Sequence, residues 1–242
     1  MASARSLLFN LCLWLWTLFM LLAALPWLAL PPRWMLAHSR VWMRGVQFLL
    51  SRIIGLEYAV RGREHRNAVA IFAFKHQSAW ETLAIHLLLP GAAIALKREL
   101  TRIPLFGWCL GHAGMIGIDR EGGGRALRRL IEEGRAALAR GAPIVIFPEG
   151  TRMAPGEHRP YHPGVAALYR HLDCPVVPVA LNSGMFWGRR RFVKRPGRIV
   201  VEFLPPIAPG LERKEFMAEL ERRLETATAR LIAQARGELS AG

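Results

Sequence analysis

Short apolar runs alternate with segments of helical length from residue 56 onward, and this alternation constrains the fold more than any other feature. The runs of strand length are Leu56–Val60, Val69–Phe74, Ala92–Leu96, Met115–Ile118, Pro143–Phe147, Val176–Leu181 and Ile199–Phe203. The predicted helices are Ser78–Leu89, Leu105–Gly111, Gly123–Arg140, Gly164–His171 and Leu211–Arg236. Strands that alternate with helices favour the α/β class, with a mostly parallel or mixed sheet flanked by helices.

The N-terminal part of the chain has a different composition. Ser6–Leu30 is apolar almost throughout and is long enough to cross a bilayer, which takes about 20 residues. After two prolines, Trp34–Ile54 mixes apolar residues with four arginines near and within it, a pattern typical of a helix that lies in a membrane interface. A cleaved signal peptide is disfavoured because its apolar region usually has only ~7–15 residues. The two predicted helices could each span the membrane, or enter and return as a hairpin.

The charge balance predicts an anionic partner. The chain has 33 Lys and Arg against 18 Asp and Glu, a net charge of +15, which suits a nucleic acid, a membrane surface or a phosphorylated substrate. The three cysteines show no paired spacing, which argues against a disulfide framework or a zinc site. The chain also lacks the Gly-x-Ser-x-Gly, Gly-Lys-Ser/Thr and His-Glu-x-x-His motifs of serine hydrolases, phosphate-loop NTPases and metalloproteases.

A candidate general base follows the second predicted strand. His76 comes directly after that strand, and Glu81 lies five positions later at the start of a helix. A neutral imidazole can take a proton from a hydroxyl near pH 7, and a carboxylate on its other nitrogen would fix its tautomer. Taken alone, this pair is more simply a loop histidine followed by a helix-start glutamate, because acidic residues are common there.

Three other strand-end segments carry polar residues that a core does not need. Lys97 closes one predicted strand, Arg120 closes another, and Arg152 ends the segment Phe147–Arg152. The fourth segment contains Pro178, which predicts an edge position or a bulge. Three cations at strand ends predict a phosphate ligand, since Arg binds phosphate through two parallel hydrogen bonds and Lys as a point charge.

Together these segments resemble the motifs of the glycerolipid acyltransferases, specifically the 1-acylglycerol-3-phosphate acyltransferases. The resemblance extends from about residue 68 to residue 182. The family's first motif is His, four residues, then Asp; here it is His76 and Glu81, longer by one methylene group. The second motif matches Gly117–Arg120, the third matches Phe147–Arg152, and the proline of the fourth matches Pro178.

The resemblance implies a membrane-bound enzyme with the glycerolipid acyltransferase fold. Residues 1–55 would attach it to the membrane and residues 56–242 would form the catalytic domain, on the cytoplasmic side of the inner membrane. The enzyme would move an acyl group from acyl-CoA or acyl-carrier protein to the sn-2 hydroxyl of lysophosphatidate, giving phosphatidate for phospholipid biosynthesis. No metal, other cofactor or nucleic acid is implied. The oligomeric state stays open.

The resemblance also implies roles for individual residues. His76 would be the base and Glu81 would orient it. The other members of the implied site would bind the phosphate and the glycerol: Lys97, Arg120, Glu149, Gly150, Thr151, Arg152 and Pro178.

Other interpretations remain open at this stage. The acceptor could be glycerol-3-phosphate, another lysophospholipid or a lyso-aminolipid, and a basic membrane-surface binding protein is the non-enzymatic alternative. Residues 185–198 carry six basic and no acidic side chains, with Phe186, Trp187 and Phe192 among them. This segment is predicted to contact either an anionic membrane or an acidic carrier protein.

Overall fold

The computed structural model describes residues 2–66, 69–119 and 122–240, and its centre is one sheet of seven strands. The strands are β1 (Leu56–Arg61), β2 (Ile71–Phe74), β3 (Ala93–Lys97), β4 (Ile116–Ile118), β5 (Ile144–Ile146), β6 (Val176–Leu181) and β7 (Gly197–Phe203). Their order across the sheet is β1-β7-β6-β2-β5-β3-β4. Every strand overlaps a run that the sequence predicted.

The sheet is mixed, as expected. Strands β6, β2, β5, β3 and β4 pair in parallel, whereas β7 runs antiparallel to β6 and β1 runs parallel to β7. All four residues of β2 are buried because β2 lies between β5 and β6 near the middle of the sheet. The loop after β2 therefore starts from one of the best-supported positions in the molecule, at the carboxyl end of a parallel strand.

Seven helices cover the two faces of the sheet in the described part of the chain. They are α1 (Ala2–Ala23), α2 (Pro32–Leu49), α3 (Ala79–Leu88), α4 (Phe106–His112), α5 (Gly123–Ala139), α6 (Pro163–Leu172) and α7 (Arg213–Ser240). Residues from α1, α2 and α3 join one buried apolar cluster, and residues from α5, α6 and α7 join the other. The molecule is thus an α/β sandwich, and the predicted fold class is confirmed.

Helices α1 and α2 form a hairpin that packs against the sheet. The indole of Trp16 donates to the backbone carbonyl of Trp42 at 2.9 Å, and the indole of Trp42 donates to the hydroxyl of Thr17 at 3.2 Å. Phe9 and Met43 are fully buried in the same cluster as the side chains of β2 and α3. The two predicted helices therefore run antiparallel and pack against the catalytic domain as one unit.

The outer face of α1 is apolar and exposed. The segment Ala2–Ala29 is long and apolar enough to cross a membrane, yet only 17% of its most apolar window is buried within the protein. The large apolar side chains exposed on α1 are Leu7, Leu8, Leu11, Trp14, Leu15, Leu18, Phe19 and Leu22. An uncovered apolar face of this size indicates membrane association.

Pro178 lies in an interior strand, so the expected edge position is wrong and the alternative of a bulge fits. The Pro178 carbonyl accepts from the backbone of Leu204 at 2.9 Å, just beyond the end of β7. Two residues earlier on β6, Val176 exchanges both backbone hydrogen bonds with Ile207. Val176 and Pro178 are two residues apart, whereas their partners Ile207 and Leu204 are three residues apart, so the pairing contains a bulge. Proline has no backbone N–H to donate, and Pro178 lies at this irregular end of the hydrogen-bond ladder.

Candidate active site

The loop after β2 is held by the start of α3. Ser78 caps the helix: its hydroxyl accepts from the backbone of Trp80 at 3.1 Å, and the backbone N–H of Ser78 donates to Glu81 Oε1 at 2.6 Å. This reciprocal arrangement is a capping box, which satisfies the free N–H groups of the first turn. It also brings the carboxylate of Glu81 back toward His76.

Glu81 binds the ring of His76. Its Oε1 atom accepts from His76 Nδ1 at 2.9 Å and from the backbone of Gln77 at 2.7 Å, and its Oε2 atom accepts from the hydroxyl of Ser183 at 2.7 Å. The carboxylate is fully buried, whereas 14% of the His76 side chain is exposed. Because a carboxylate only accepts, Nδ1 carries the proton and Nε2 keeps a lone pair for a substrate hydroxyl. The ring also stacks on Phe147, with 4.1 Å between centroids.

Glu149 holds the backbone of the same loop. Its Oε2 atom accepts from the backbone N–H of His76 at 3.0 Å, and its Oε1 atom accepts from Lys75 Nζ at 2.6 Å. Lys75 also donates to Glu225 of α7, at 2.7 Å and 2.9 Å, and Tyr161 donates to Glu225 at 2.6 Å. Burial raises the pKa of Glu149, and the nearby Lys75 ammonium opposes that shift. The carboxylate of Glu149 is fully buried and does not line the pocket in front of His76, and its contact with glycerol stays a prediction.

A pocket of about 500 Å³ opens in front of His76. Its polar lining includes Lys97 at the end of β3 and Arg152 after β5, and Gly150 lies on its wall. Lys97 forms an exposed ion pair with Glu99 at 3.0 Å. Most of the remaining wall is apolar, with side chains from β3, α3 and α5: Leu83, Ile94, Leu96, Ala126, Leu127 and Leu130.

The structure brings only some of the predicted binding residues together. His76, Lys97, Gly150 and Arg152 line one pocket. Arg120 lies outside the described residues. The other three predicted members do not line the pocket: Glu149 is buried, Thr151 is half-buried between two pocket residues in the sequence, and Pro178 is buried within β6.

Gly150 is required by its conformation and by its neighbour. Its φ angle is +64°, in the left-handed region that favours glycine. A Cβ atom there would lie 2.6 Å from the ring of His162, which also lines the pocket. A side chain at this position would therefore strain the loop and displace His162.

Three residues of the site were not predicted from the sequence, namely Lys75, Glu225 and Ser183. Lys75 and Glu225 are separated by 150 positions, so no local pattern joins them. Ser183 follows β6 almost directly, and its position after a strand end could have marked it. No group of three or more His, Cys, Asp or Glu side chains suited to a metal ion occurs in residues 2–66, 69–119 and 122–240.

A second, mostly apolar cavity of about 160 Å³ lies under the α1–α2 hairpin. It shares part of its wall with the first pocket, namely Thr82, Leu83, Ile94, Leu96 and Leu100. The site thus offers a base, two cations and apolar walls that continue toward the hairpin. This combination suits a substrate with a hydroxyl, an anionic group and a hydrocarbon chain.

Comparisons with known proteins identify a family and several similar chains. The Acyltransferase family model matches residues 53–182. The 1-acyl-sn-glycerol-3-phosphate acyltransferase of Pseudomonas aeruginosa is 35% identical over 194 residues, which cover 80% of this chain and 76% of that protein. The human 1-acyl-sn-glycerol-3-phosphate acyltransferase alpha is 28% identical, over 86% of this chain and 74% of its own length.

A solved structure shows the same fold. It is the 1-acyl-sn-glycerophosphate (LPA) acyltransferase of Thermotoga maritima, with a TM-score of 0.72 and 20% sequence identity. The match covers 96% of this chain and 98% of that one, so it includes the N-terminal hairpin as well as the sheet.

Proposed function

Because this chain belongs to the Acyltransferase family, we propose that it moves a fatty acyl group from a thioester to the sn-2 hydroxyl of lysophosphatidate, giving phosphatidate. The observation that carries the proposal is the pair His76 and Glu81, held at the mouth of a pocket that also contains Lys97 and Arg152. The names of the matched relatives support lysophosphatidate as the acceptor.

In the proposed reaction His76 acts as a general base. Its Nε2 atom accepts the proton of the acceptor hydroxyl while the hydroxyl oxygen attacks the thioester carbonyl. The tetrahedral intermediate then expels the thiolate, which takes the proton back from the imidazolium. Glu81 stabilises that imidazolium, as a carboxylate does in hydrolase triads. General-base help of this kind typically contributes about 10²–10⁴ in rate.

The pocket would position the acceptor. Lys97 and Arg152 would bind its phosphate, with Arg120 as a further candidate, and the backbone of Gly150 would lie against the glycerol. The apolar walls would hold hydrocarbon. Correct placement of two reactants can supply a large share of the rate, so these contacts would serve catalysis as well as affinity.

The hairpin would keep the enzyme at the membrane where its acceptor resides. We propose that the exposed face of α1 enters the inner membrane and that the catalytic domain lies on the cytoplasmic side. The arginines near α2, Arg33, Arg44 and Arg52, are exposed and could bind lipid phosphates.

The test is acyl transfer by the purified protein across a panel of acceptors. We expect the highest kcat/KM with lysophosphatidate, compared with glycerol-3-phosphate, lysophosphatidylcholine and a lyso-aminolipid. Arg152→Ala should raise the KM for lysophosphatidate, whereas Arg170→Ala, an exposed arginine on α6, should not. A folded protein that transfers acyl groups to none of these acceptors would refute the proposal, and a better acceptor than lysophosphatidate would redirect it.

A further inference from the structure

The basic segment that follows β6 separates into a buried set and an exposed set of side chains. Phe186 and Trp187 are buried, and the ring of Trp187 meets Phe9 of α1 edge to face at 5.5 Å. Lys194 is also buried, and its Nζ atom donates to the side chain of Asn10 at 2.6 Å. These residues fasten α1 to the catalytic domain. They are therefore unavailable to a membrane or a carrier protein, contrary to what the sequence pattern suggested.

The exposed arginines of the segment line a groove of about 370 Å³. Arg189, Arg191 and Arg195 form part of its wall, and Arg152 completes the basic lining. The guanidinium of Arg189 donates to the backbone carbonyl of Arg152 at 3.0 Å, which joins the segment to the third sequence motif. The positive charges thus surround one concavity and are not spread over a flat surface.

The charges in the groove are poorly compensated. Within residues 2–66, 69–119 and 122–240, no carboxylate forms an ion pair with any of the four guanidinium groups. The one acidic residue of the lining, Glu157, accepts from the backbone of Ala154 at 3.2 Å. Four like charges around one concavity focus a positive potential, which favours a ligand with several negative charges.

The groove adjoins the active site. Arg152 lines both the groove and the pocket in front of His76. The backbone of Met153 donates to the His76 carbonyl at 2.8 Å, and the backbone of Gly184, in the groove wall, donates to the side chain of Gln77 at 3.1 Å. A ligand could therefore bind here and extend a flexible arm to the reacting atoms.

We propose that this groove binds the phosphate groups at the nucleotide end of a coenzyme A thioester, the acyl donor. The inference rests on the proposed function, because it assumes a thioester donor. Planar guanidinium groups match phosphate oxygens through paired hydrogen bonds. The volume lies within the range of small-molecule sites, about 300–1,000 Å³. A bilayer presents its phosphates as an extended plane, which fits a concave groove less well.

The direct test is calorimetric binding of coenzyme A without turnover. Arg191→Ala combined with Arg195→Ala should weaken the Kd about tenfold or more, since hydrogen bonds between two charged groups are lost. The matched control combines Arg190→Ala with Arg198→Ala, which removes the same charge from exposed positions outside the groove. Equal Kd values for the two double variants would overturn the proposal. This test needs no acceptor, so it stands even if lysophosphatidate proves to be the wrong one.

Kinetics separate the possible sources of phosphate. The groove variant should raise the KM for palmitoyl-CoA but not for S-palmitoyl-pantetheine, which lacks phosphate. If the groove variant raises the KM for both donors equally, the groove does not recognise the nucleotide end of coenzyme A. If the groove variant loses binding to vesicles of phosphatidylglycerol while its coenzyme A affinity matches the control, the phosphates belong to lipid headgroups. A raised KM for acyl-carrier protein without any change toward coenzyme A would likewise overturn the proposal, in favour of a docked protein.

Discussion

The carboxylate of Glu81 fixes the position of the His76 ring and places a proton on its Nδ1 atom. One oxygen accepts from the His76 ring and from two backbone N–H groups, and the other accepts from Ser183. A charged group with this many donors is strongly oriented, even though it is one methylene longer than the aspartate of the family motif.

Replacing Glu81 by Gln should keep this geometry and remove the charge. The amide oxygen can face the three N–H donors while the NH₂ group donates to the hydroxyl of Ser183. We expect kcat to fall about a hundredfold or more, because the imidazolium that forms in the transition state loses its counter-charge. Glu81→Asp, which keeps the charge, should retain appreciable activity. Acyl-transfer assays measure the effect. If Glu81→Gln and the wild type have equal turnover, Glu81 serves only to cap α3.

A second prediction concerns the buried charges behind the loop. Burial raises the pKa of Glu149 and Lys75 opposes this, so Lys75→Met should raise that pKa further. When a carboxyl has a higher pKa in the folded state than in the unfolded state, the free energy of unfolding of the protein falls as the pH rises from the lower to the higher of these values. Breaking a buried pair also costs about 3–5 kcal/mol. The variant should therefore be less stable at neutral pH, and the acidic limb of its kcat/KM profile should move to higher pH.

Two control variants accompany this prediction. Adding Glu149→Gln to Lys75→Met should restore part of the stability and remove the pH dependence that Glu149 causes, because the buried side chain that binds the His76 backbone is then neutral. Glu225, which also loses Lys75 as a partner, is 27% exposed and keeps its hydrogen bond from Tyr161. Lys214→Met removes an exposed lysine at the start of α7 and should change neither property. Thermal unfolding across pH and the pH profile of kcat/KM are the measurements. An unshifted acidic limb in the Lys75→Met variant would show that Glu149 does not act through its charge.

Among the elements, the α1–α2 hairpin has two distinct faces. Phe9 and Met43 belong to the core of the catalytic domain, and Trp80 of α3 donates to Gln47 of α2 at 3.1 Å. Deleting residues 1–54 would therefore uncover the core, so a loss of activity after such a truncation would not isolate the effect of membrane attachment.

A sharper test changes only the outer face of α1. Replacing Leu11, Leu15 and Leu18 by Gln should release the protein from membranes with little change in unfolding temperature, since each side chain is more than half exposed. The control replaces three exposed apolar residues of the catalytic domain by Gln, namely Val69, Leu211 and Leu239. Sedimentation with washed membranes measures the effect. Equal sedimentation of the two triple variants would contradict a membrane role for α1.

For the whole molecule, local patterns predicted the elements and left their assembly open. Every predicted strand and helix appears within a few residues of its expected bounds, because hydrophobic periodicity and turn residues are local signals. The antiparallel placement of β7, the hairpin docking of α1 and the contact between Lys75 and Glu225 join positions far apart in the chain. The sequence also could not distinguish buried Lys194 from its exposed basic neighbours, since that depends on where α1 packs.

The candidate site shows the same division. His76, Lys97, Gly150 and Arg152 were identified from strand-end motifs, and they meet because parallel strands end at one edge of the sheet. Glu149 has the expected position in its motif, but its side chain is buried. The sequence did not predict this burial, because the direction of a side chain depends on the conformation of the backbone around it.

A comparison of wild type and His76→Ala tests most directly whether His76 is the base for acyl transfer to lysophosphatidate. Phosphatidate formation from lysophosphatidate and a radiolabelled acyl thioester is followed for the wild type and His76→Ala, with circular dichroism and thermal unfolding to show that both are folded. Among the described residues the His76 ring makes one side-chain hydrogen bond and stacks on Phe147, and 14% of the side chain is exposed, so its removal should leave the fold intact. We expect phosphatidate formation by the wild type and a loss of about 10²–10⁴ in kcat for the variant. Near-normal turnover by a folded His76→Ala protein would contradict this role of His76.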